Sequence, residues 1–168
     1  MPVRLRDRCQ SDSIHEFRAA ARERFDDGGR LETGDRRTGA IYLWGYTTEM
    51  TLKAAYFALL GFGDQQPITM ADLRAAVGAA PQYGVVWPAQ GNLHAVRGWG
   101  ELLVNRRNAT ATTRYADPTF GLRVVQLARV VYDIWTETLR YHKNVAYAHE
   151  VRRVHEAAVW FLGNSLLL

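Results

Sequence analysis

Apolar residues recur at steps of three and four along much of this chain, a spacing that places them on one face of an α-helix. The clearest stripe lies in the carboxyl-terminal half and consists of Phe120, Val124, Leu127, Val131, Ile134 and Thr138. A second stripe follows it and consists of Tyr147, Val151, Val154, Ala158, Phe161 and Leu162. Each stripe predicts an amphipathic helix that packs against a shared core.

Capping signals divide the amino-terminal half into further helices. Ser13 followed by Glu16 is typical of a capping box and opens a first helix. We expect this helix to end at Gly28-Gly29, before an arginine-rich loop, "LETGDRR". The next helix is long and strongly apolar, and it should run from about Arg36 to Leu60.

The middle of the chain combines short helices with turns. Thr69 caps a short helix, "MADLRAAVGAA", which Pro81 stops, and "PQYGVVWPAQGN" predicts turns in which "VVW" is too short to carry a sheet. "LHAVRGWGELLV" predicts a further helix, and "NRRNATATTRYAD" predicts a basic loop before the helix start at Asp117-Pro118. The chain is therefore expected to be all-α, an antiparallel bundle of four to five main helices with a short extra helix and a loop insert.

Length and composition restrict this architecture further. With 168 residues, of which 48% are hydrophobic, the chain suits one domain over residues 1–168. The net charge of +4 and the pI near 9.5 are compatible with an acidic partner such as RNA. Cys9 is the sole cysteine, and the histidines pair with no cysteine at zinc-finger spacing, so we predict no metal and no cofactor. No apolar segment suggests a signal peptide or a membrane span, which favours a cytoplasmic protein.

One helix has an unusually polar face. In "GAIYLWGYTTEMTLKA" the residues Tyr42, Gly45, Tyr46, Glu49 and Lys53 lie at steps of three and four. This segment resembles the signature helix of the HEPN domain family, which often has the form Ala-x-Tyr-Leu-x-Gly-Tyr-x-x-Glu-x-x-Leu-Lys-Ala. Two later segments, "NLHAVRGWGELL" and "WTETLRY", are similar to further HEPN segments and follow in the same order.

The resemblance implies a fold and a set of functions. HEPN domains are bundles of four or five helices, commonly dimeric, and they include metal-independent ribonucleases, toxins, defence components and noncatalytic RNA-associated modules. The nucleases carry Arg-x4-6-His, often extended as Arg-x4-His-x-Tyr. In that motif the arginine binds a phosphate and the histidine transfers protons while the 2′-hydroxyl of the RNA attacks.

The segment "LRYHKNVAY" falls where this motif is expected but departs from it. Arg140 and Tyr147 keep their places, whereas Val145 occupies the histidine position and cannot transfer a proton. His142 and His149 lie outside the usual spacing from Arg140. The catalytic candidates are therefore Arg140, His142, Tyr147 and His149, together with Glu49 on the signature helix.

Each candidate also has a structural interpretation. Arg140 would cap the carboxyl end of one helix while Tyr147 packs in the core, and Glu49 with Lys53 would form an ordinary ion pair one helical turn apart. A literal Arg-x6-His match runs from Arg8 to His15, but it lies at the amino terminus, where the family does not place its site.

Two further features concern ligands. A cationic patch for RNA could be formed by Arg106, Arg107, Arg114, Lys143, Arg152 and Arg153, although a solvated basic surface is the ordinary interpretation. "HEVRRVH" resembles a zinc-protease motif, but its histidines fall on different faces of a helix, so we predict no metal there.

The leading functional hypothesis is a HEPN-like, RNA-associated module, noncatalytic or atypical, within a defence or toxin system. The first alternative is a metal-independent endoribonuclease that uses Arg140 with His142 or His149. The second is a protein-interaction or dimerisation module in which the exposed carboxyl-terminal segment "WFLGNSLLL" binds a partner. The resemblance implies a homodimer and partners such as RNA, a nucleotidyltransferase-like antitoxin or a defence ATPase.

Overall fold

The structure is a computed structural model that describes residues 11–109 and 113–168. Within these residues it contains α-helices and two 3₁₀ helices, and it contains no strand. The α-helices are α1 (Ile14–Thr33), α2 (Arg37–Leu59), α3 (Met70–Gly78), α4 (Val96–Asn108), α5 (Pro118–Ile134) and α6 (Ala148–Gly163). The 3₁₀ helices span Ala80–Tyr83 and Glu137–Tyr141. The predicted all-α bundle, with a short additional helix, agrees with this set of elements.

Helix α2 forms the centre of the bundle. Its buried residues occur on all sides, from Thr38 near its start to Phe57 near its end, as expected of a helix enclosed by other elements. It packs against α1, α4, α6 and the 3₁₀ helix Glu137–Tyr141. The polar face of the signature segment therefore lies inside the molecule, where side chains from several elements can meet.

The outer helices complete the core around α2. Helices α4 and α5 pack closely because Gly100 leaves room for the Ala128 methyl group, and a Cβ on Gly100 would lie 2.6 Å from it. Helix α5 also contacts α6 through its apolar stripe, in which Val124, Leu127 and Val131 are buried. The predicted cap of α5 is present, since the Asp117 carboxylate accepts a hydrogen bond from the Thr119 backbone and proline follows it.

The first helix is longer than predicted. Gly28-Gly29 does not end α1, which continues to Thr33 and leaves only a short turn before α2. Gly28 instead lies against the Trp44 indole of α2, where a Cβ would come within 2.5 Å of the ring nitrogen. The glycine is needed for this close approach between helices, and it costs the helix about 0.5 to 1 kcal/mol relative to alanine. The expected loop "LETGDRR" is therefore mostly helical.

Three predicted boundaries near the basic segments also differ. Arg106 and Arg107 lie in the last turn of α4 and not in a loop. The α5 stripe ends before Thr138, which belongs to the second 3₁₀ helix. Tyr147 is the N-cap residue of α6 and is exposed, so its predicted place on the buried face of that helix was wrong.

The segment after the second 3₁₀ helix is tied to the start of α2. The Thr38 hydroxyl accepts hydrogen bonds from the backbone N–H groups of Val145 and Ala146, at 2.8 and 3.0 Å. The Asn144 side chain accepts one from the Thr38 N–H and donates another to the Asp35 carbonyl. These contacts hold "LRYHKNVAY" beside the amino-terminal end of the central helix.

Two predictions fall partly or wholly outside the described residues. Cys9 lies wholly outside them. The Arg8 to His15 motif match lies partly outside, because Arg8 is not among the described residues. Within the described residues, no helix combines the length and the apolar character that crossing a membrane requires.

Candidate site in the cleft above Glu49

A buried ion pair lies on the signature face of α2. Glu49 is only 2% exposed and Lys53 is also buried, and the Lys53 ammonium donates a hydrogen bond to the Glu49 carboxylate one turn away. Burial of two charges is costly unless each has partners. Lys53 has a second one, the Trp99 ring, whose centroid lies 5.5 Å from Nζ. The pair that the sequence explained as an ordinary helix ion pair is therefore buried in the interior.

His94 completes this arrangement from a neighbouring element. Its Nδ1 lies 3.0 and 3.1 Å from the two carboxylate oxygens of Glu49. The His94 side chain is 41% exposed, so the imidazole connects the buried carboxylate with solvent. The hydrogen bond to Glu49 raises the pKa of His94, and the negative charge of Glu49 adds to this, against the opposing effects of burial and of Lys53.

The turn that carries His94 is held by tryptophans. The Trp99 indole N–H donates to the Leu93 carbonyl at 2.9 Å, and the Trp87 indole N–H donates to the Asn92 carbonyl at 2.8 Å. The His94 backbone N–H donates to the Asn92 side chain at 2.7 Å. These bonds fix the backbone immediately before His94, so the imidazole is positioned before any ligand arrives.

Glu49, Lys53 and His94 line an open cleft of about 430 Å³. Phe17 and Met50 contribute apolar surface to the same cleft. Because Nδ1 faces Glu49, Nε2 is the ring nitrogen that can meet a ligand. A carboxylate-held imidazole beside a cavity can exchange a proton with a bound molecule.

An aromatic cluster connects the cleft with the second 3₁₀ helix. The Tyr46 ring lies 6.0 Å from the His94 ring, 5.2 Å from Trp135 and 5.0 Å from Tyr42. Burial raises the pKa of Tyr46 strongly, and the hydrogen bond to Tyr42 raises it further. Arg140 acts on the same cluster, since hydrogen bonding to Tyr42 raises the pKa of its guanidinium.

Beyond Arg140 the surface carries exposed aromatic and basic side chains. The Arg140 guanidinium lies 4.7 Å from the Tyr141 ring centroid, and Tyr141 is 73% exposed. Tyr147 is 67% exposed and stacks on His149, with ring centroids 5.8 Å apart. We refer to this surface as the aromatic-basic strip. It consists of Arg140, Tyr141, His142, Lys143, Tyr147 and His149, all exposed.

Comparison of this chain with protein-family models, with curated proteins and with solved structures finds no match. The HEPN resemblance therefore stays a prediction that rests on the residues quoted above. The site must be interpreted from its own geometry.

The structure separates the predicted catalytic residues into two groups. Glu49 lies in the cleft with His94, whereas Arg140, His142, Tyr147 and His149 lie on the strip. The histidine beside Glu49 is thus neither His142 nor His149. Sequence reasoning did not select His94, although it lies in "NLHAVRGWGELL", one of the segments that carry the resemblance.

The residues of the predicted cationic patch have different surroundings. Arg106 lies over the rings of Tyr56 and Tyr83, and Arg107 lies over Tyr115. The remaining cations of the patch differ in their surroundings: Arg114 donates to the Asn108 carbonyl, while Lys143, Arg152 and Arg153 are exposed. Helices α4 and α6, which carry the arginine pairs, do not pack against each other in the described part of the chain. Only Lys143 belongs to the strip.

The carboxyl-terminal segment is partly docked. Leu166 and Leu167 are exposed, whereas Leu168 is buried and its carbonyl accepts a hydrogen bond from the Tyr115 hydroxyl. Trp160 packs on Phe120 of α5, with ring centroids 5.2 Å apart.

Among the described residues, no group of His, Cys, Asp and Glu side chains has an arrangement that could hold a metal ion.

Proposed function

We propose that this protein is an RNA-associated module that binds single-stranded RNA on the aromatic-basic strip. The observation that carries the proposal is the exposure of Tyr141 and Tyr147 next to cationic side chains. Bases of single-stranded nucleic acids stack on exposed aromatic side chains of this kind. Arg140 and Lys143 supply positive charge for the phosphates between stacked bases.

The charge of the whole chain and the family resemblance support the same proposal. A net charge of +4 favours a polyanionic partner, and HEPN-like proteins include noncatalytic RNA-associated modules. This proposal also includes an antiparallel arrangement of the bundle, a homodimeric state, a cytoplasmic location and a role in a defence or toxin system. So does a protein partner, either a nucleotidyltransferase-like antitoxin or a defence ATPase, which co-purification would identify.

Fluorescence anisotropy with a labelled single-stranded oligoribonucleotide tests the RNA proposal. Tyr141→Ala and Tyr147→Ala should each raise the Kd about tenfold, because a stacked base contributes about 1 to 3 kcal/mol. Arg30→Ala removes an exposed cation from α1 and is the matched control, expected to keep the wild-type Kd. Binding that is absent in the wild type, or unchanged by both tyrosine substitutions, would contradict the proposal.

A further inference from the structure

We propose that the cleft above Glu49 binds a small zwitterion with an apolar side chain, the chemistry of an α-amino acid. The carboxylate of this ligand lies against Lys53 and His94, and its ammonium lies against Asp12 and Glu16. The cleft and the aromatic-basic strip share no residue. The inference is therefore independent of the proposed RNA binding.

The inner wall of the cleft, formed by Glu49, Lys53 and His94, offers hydrogen-bond donors. The Lys53 side chain is 6% exposed, and Glu49 accepts one of the three N–H groups of its ammonium. No other acceptor among the described residues bonds to this ammonium, so its remaining N–H groups are available beside the cleft. Protonated His94 adds its Nε2–H, because Nδ1 faces Glu49. Such a wall suits an anionic group.

The Glu49 carboxylate serves to hold the two cations of the inner wall. Its Oε1 accepts from Lys53 and lies 3.0 Å from His94 Nδ1, and its Oε2 lies 3.1 Å from the same nitrogen. Hydrogen bonding to Glu49 raises the pKa of His94, which keeps the ring protonated to a higher pH. Two positive charges and one negative charge then leave the wall with a net positive charge, which attracts a carboxylate.

The outer wall of the cleft, formed by Asp12 and Glu16 at the start of α1, offers hydrogen-bond acceptors. Within the part of the chain that the structure describes, neither carboxylate forms an ion pair or a hydrogen bond. The backbone at both positions is fixed, since the Asp12 carbonyl accepts from the Ile68 N–H at 2.7 Å and the Glu16 N–H donates to the Ser13 hydroxyl at 3.1 Å. Two carboxylates on a fixed backbone suit an ammonium group.

The rest of the cleft suits a compact ligand with an apolar side chain. Phe17 and Met50 supply apolar surface, and the volume of about 430 Å³ lies within the range of about 300 to 1,000 Å³ usual for small-molecule sites. The lining carries three carboxylates and, with Arg24 and the protonated histidine, three cations. This balance disfavours a polyanion and favours a ligand with one charge of each sign.

Amide NMR of the labelled protein, titrated with L-leucine, L-methionine and L-phenylalanine, tests the inference. At least one of these amino acids should shift the signals of residues 12–17, 49–53 and 93–95 in a saturable manner. Two analogues of each amino acid provide the comparison, one without the ammonium and one without the carboxylate. For leucine these are 4-methylpentanoate and 3-methylbutylamine. Each analogue should bind at least about tenfold more weakly, because it loses hydrogen bonds to charged groups.

Two substitutions assign the two ends of the ligand. Glu16→Gln should weaken binding of the amino acid about tenfold but leave the affinity for the analogue without an ammonium unchanged. His94→Ala should weaken binding of the amino acid but leave the affinity for the analogue without a carboxylate unchanged. A purely structural effect would weaken all three ligands alike. Glu32→Gln removes an exposed carboxylate from the other end of α1 and is the matched control, expected to keep the wild-type affinities.

The outcomes separate this inference from the proposed function. Cleft signals that respond to none of the three amino acids, or amino acids that bind no tighter than their singly charged analogues, would overturn the inference. Either result would leave RNA binding on the strip in place. Protein that binds an amino acid in the cleft but no RNA would overturn only the proposed function.

Discussion

At the scale of single residues, Gly45 controls how the second 3₁₀ helix meets α2. A Cβ at this position would lie 2.0 Å from the Trp135 ring, so Gly45→Ala must displace Trp135. We expect the free energy of unfolding to fall by about 1 to 3 kcal/mol, the usual cost of overpacking. Urea denaturation would measure it. RNA binding should weaken as well, because Trp135 precedes the helix that carries Arg140.

Gly29→Ala provides the control for this change. Gly29 lies inside α1, and a Cβ there would meet nothing within 4 Å. Alanine should therefore stabilise the protein, by about 0.5 to 1 kcal/mol, through its higher helix propensity. Equal effects of the two substitutions would show that Trp135 is not held against Gly45 in solution.

His94 predicts a pH dependence of stability. The folded pKa of His94 is raised above the ordinary histidine value, so folding favours the protonated ring. This contribution is fully present below about pH 6.5, the unfolded value, and is lost as the pH rises through the folded pKa. The difference in unfolding free energy between wild type and His94→Gln should shrink over that range. It should amount to about 1 kcal/mol or less, because the ring is partly exposed to solvent. A difference that grows with pH would contradict the Glu49 contact.

The burial of single residues was predicted from helical periodicity. Periodicity tells which face of a helix a side chain lies on, but only for residues inside that helix. Val151 and Val154 are buried as their spacing predicted. Tyr147 shares that spacing but is the N-cap, where the extended backbone directs its side chain to solvent. His94 lies before α4, so no helical period relates it to Glu49. Its contact with Glu49 arises only when two distant segments pack together.

At the scale of elements, one threonine holds the segment after the second 3₁₀ helix. Thr38→Val keeps the shape of the side chain but removes the oxygen that accepts from Val145 and Ala146. Leaving those N–H groups without a partner should cost about 1 to 3 kcal/mol. Amide hydrogen exchange should accelerate over residues 142–147, and affinity for RNA should fall because Tyr147 loses its support.

Thr33→Val is the matched control for this substitution. The Thr33 hydroxyl donates to the Gly29 carbonyl within α1, and the site is exposed. Its loss should leave exchange at residues 142–147 unchanged. Protection of those amides that survives Thr38→Val would show that other contacts hold the segment.

Element boundaries were predictable where local signals decided them. Helix α2 was expected from about Arg36 to Leu60 and spans Arg37–Leu59, because a long apolar run leaves few alternatives. The end of α1 was placed at Gly28-Gly29 because glycine usually stops helices. Gly28 instead admits the Trp44 ring, a contact from the next helix that no local signal contains.

At the scale of the whole molecule, the fold places a buried charge pair and an exposed strip at the two ends of one aromatic cluster. The all-α class could be predicted because helical periodicity covers most of the chain. The cleft could not, because it is formed by α1, α2 and the turn before α4, whose relative positions depend on packing. The predicted cationic patch depends on packing in the same way, and α4 and α6, which carry its arginine pairs, do not pack against each other in the described residues.

The central claim is that RNA lies on the aromatic-basic strip, and amide NMR of the labelled protein titrated with a short single-stranded oligoribonucleotide tests it most directly. Perturbed signals should come from the strip segment, residues 139–149. Tyr141→Ala should reduce these perturbations without altering the spectrum elsewhere. Perturbations confined to the Arg106 and Arg107 end of α4, or a spectrum unchanged by RNA, would contradict the claim.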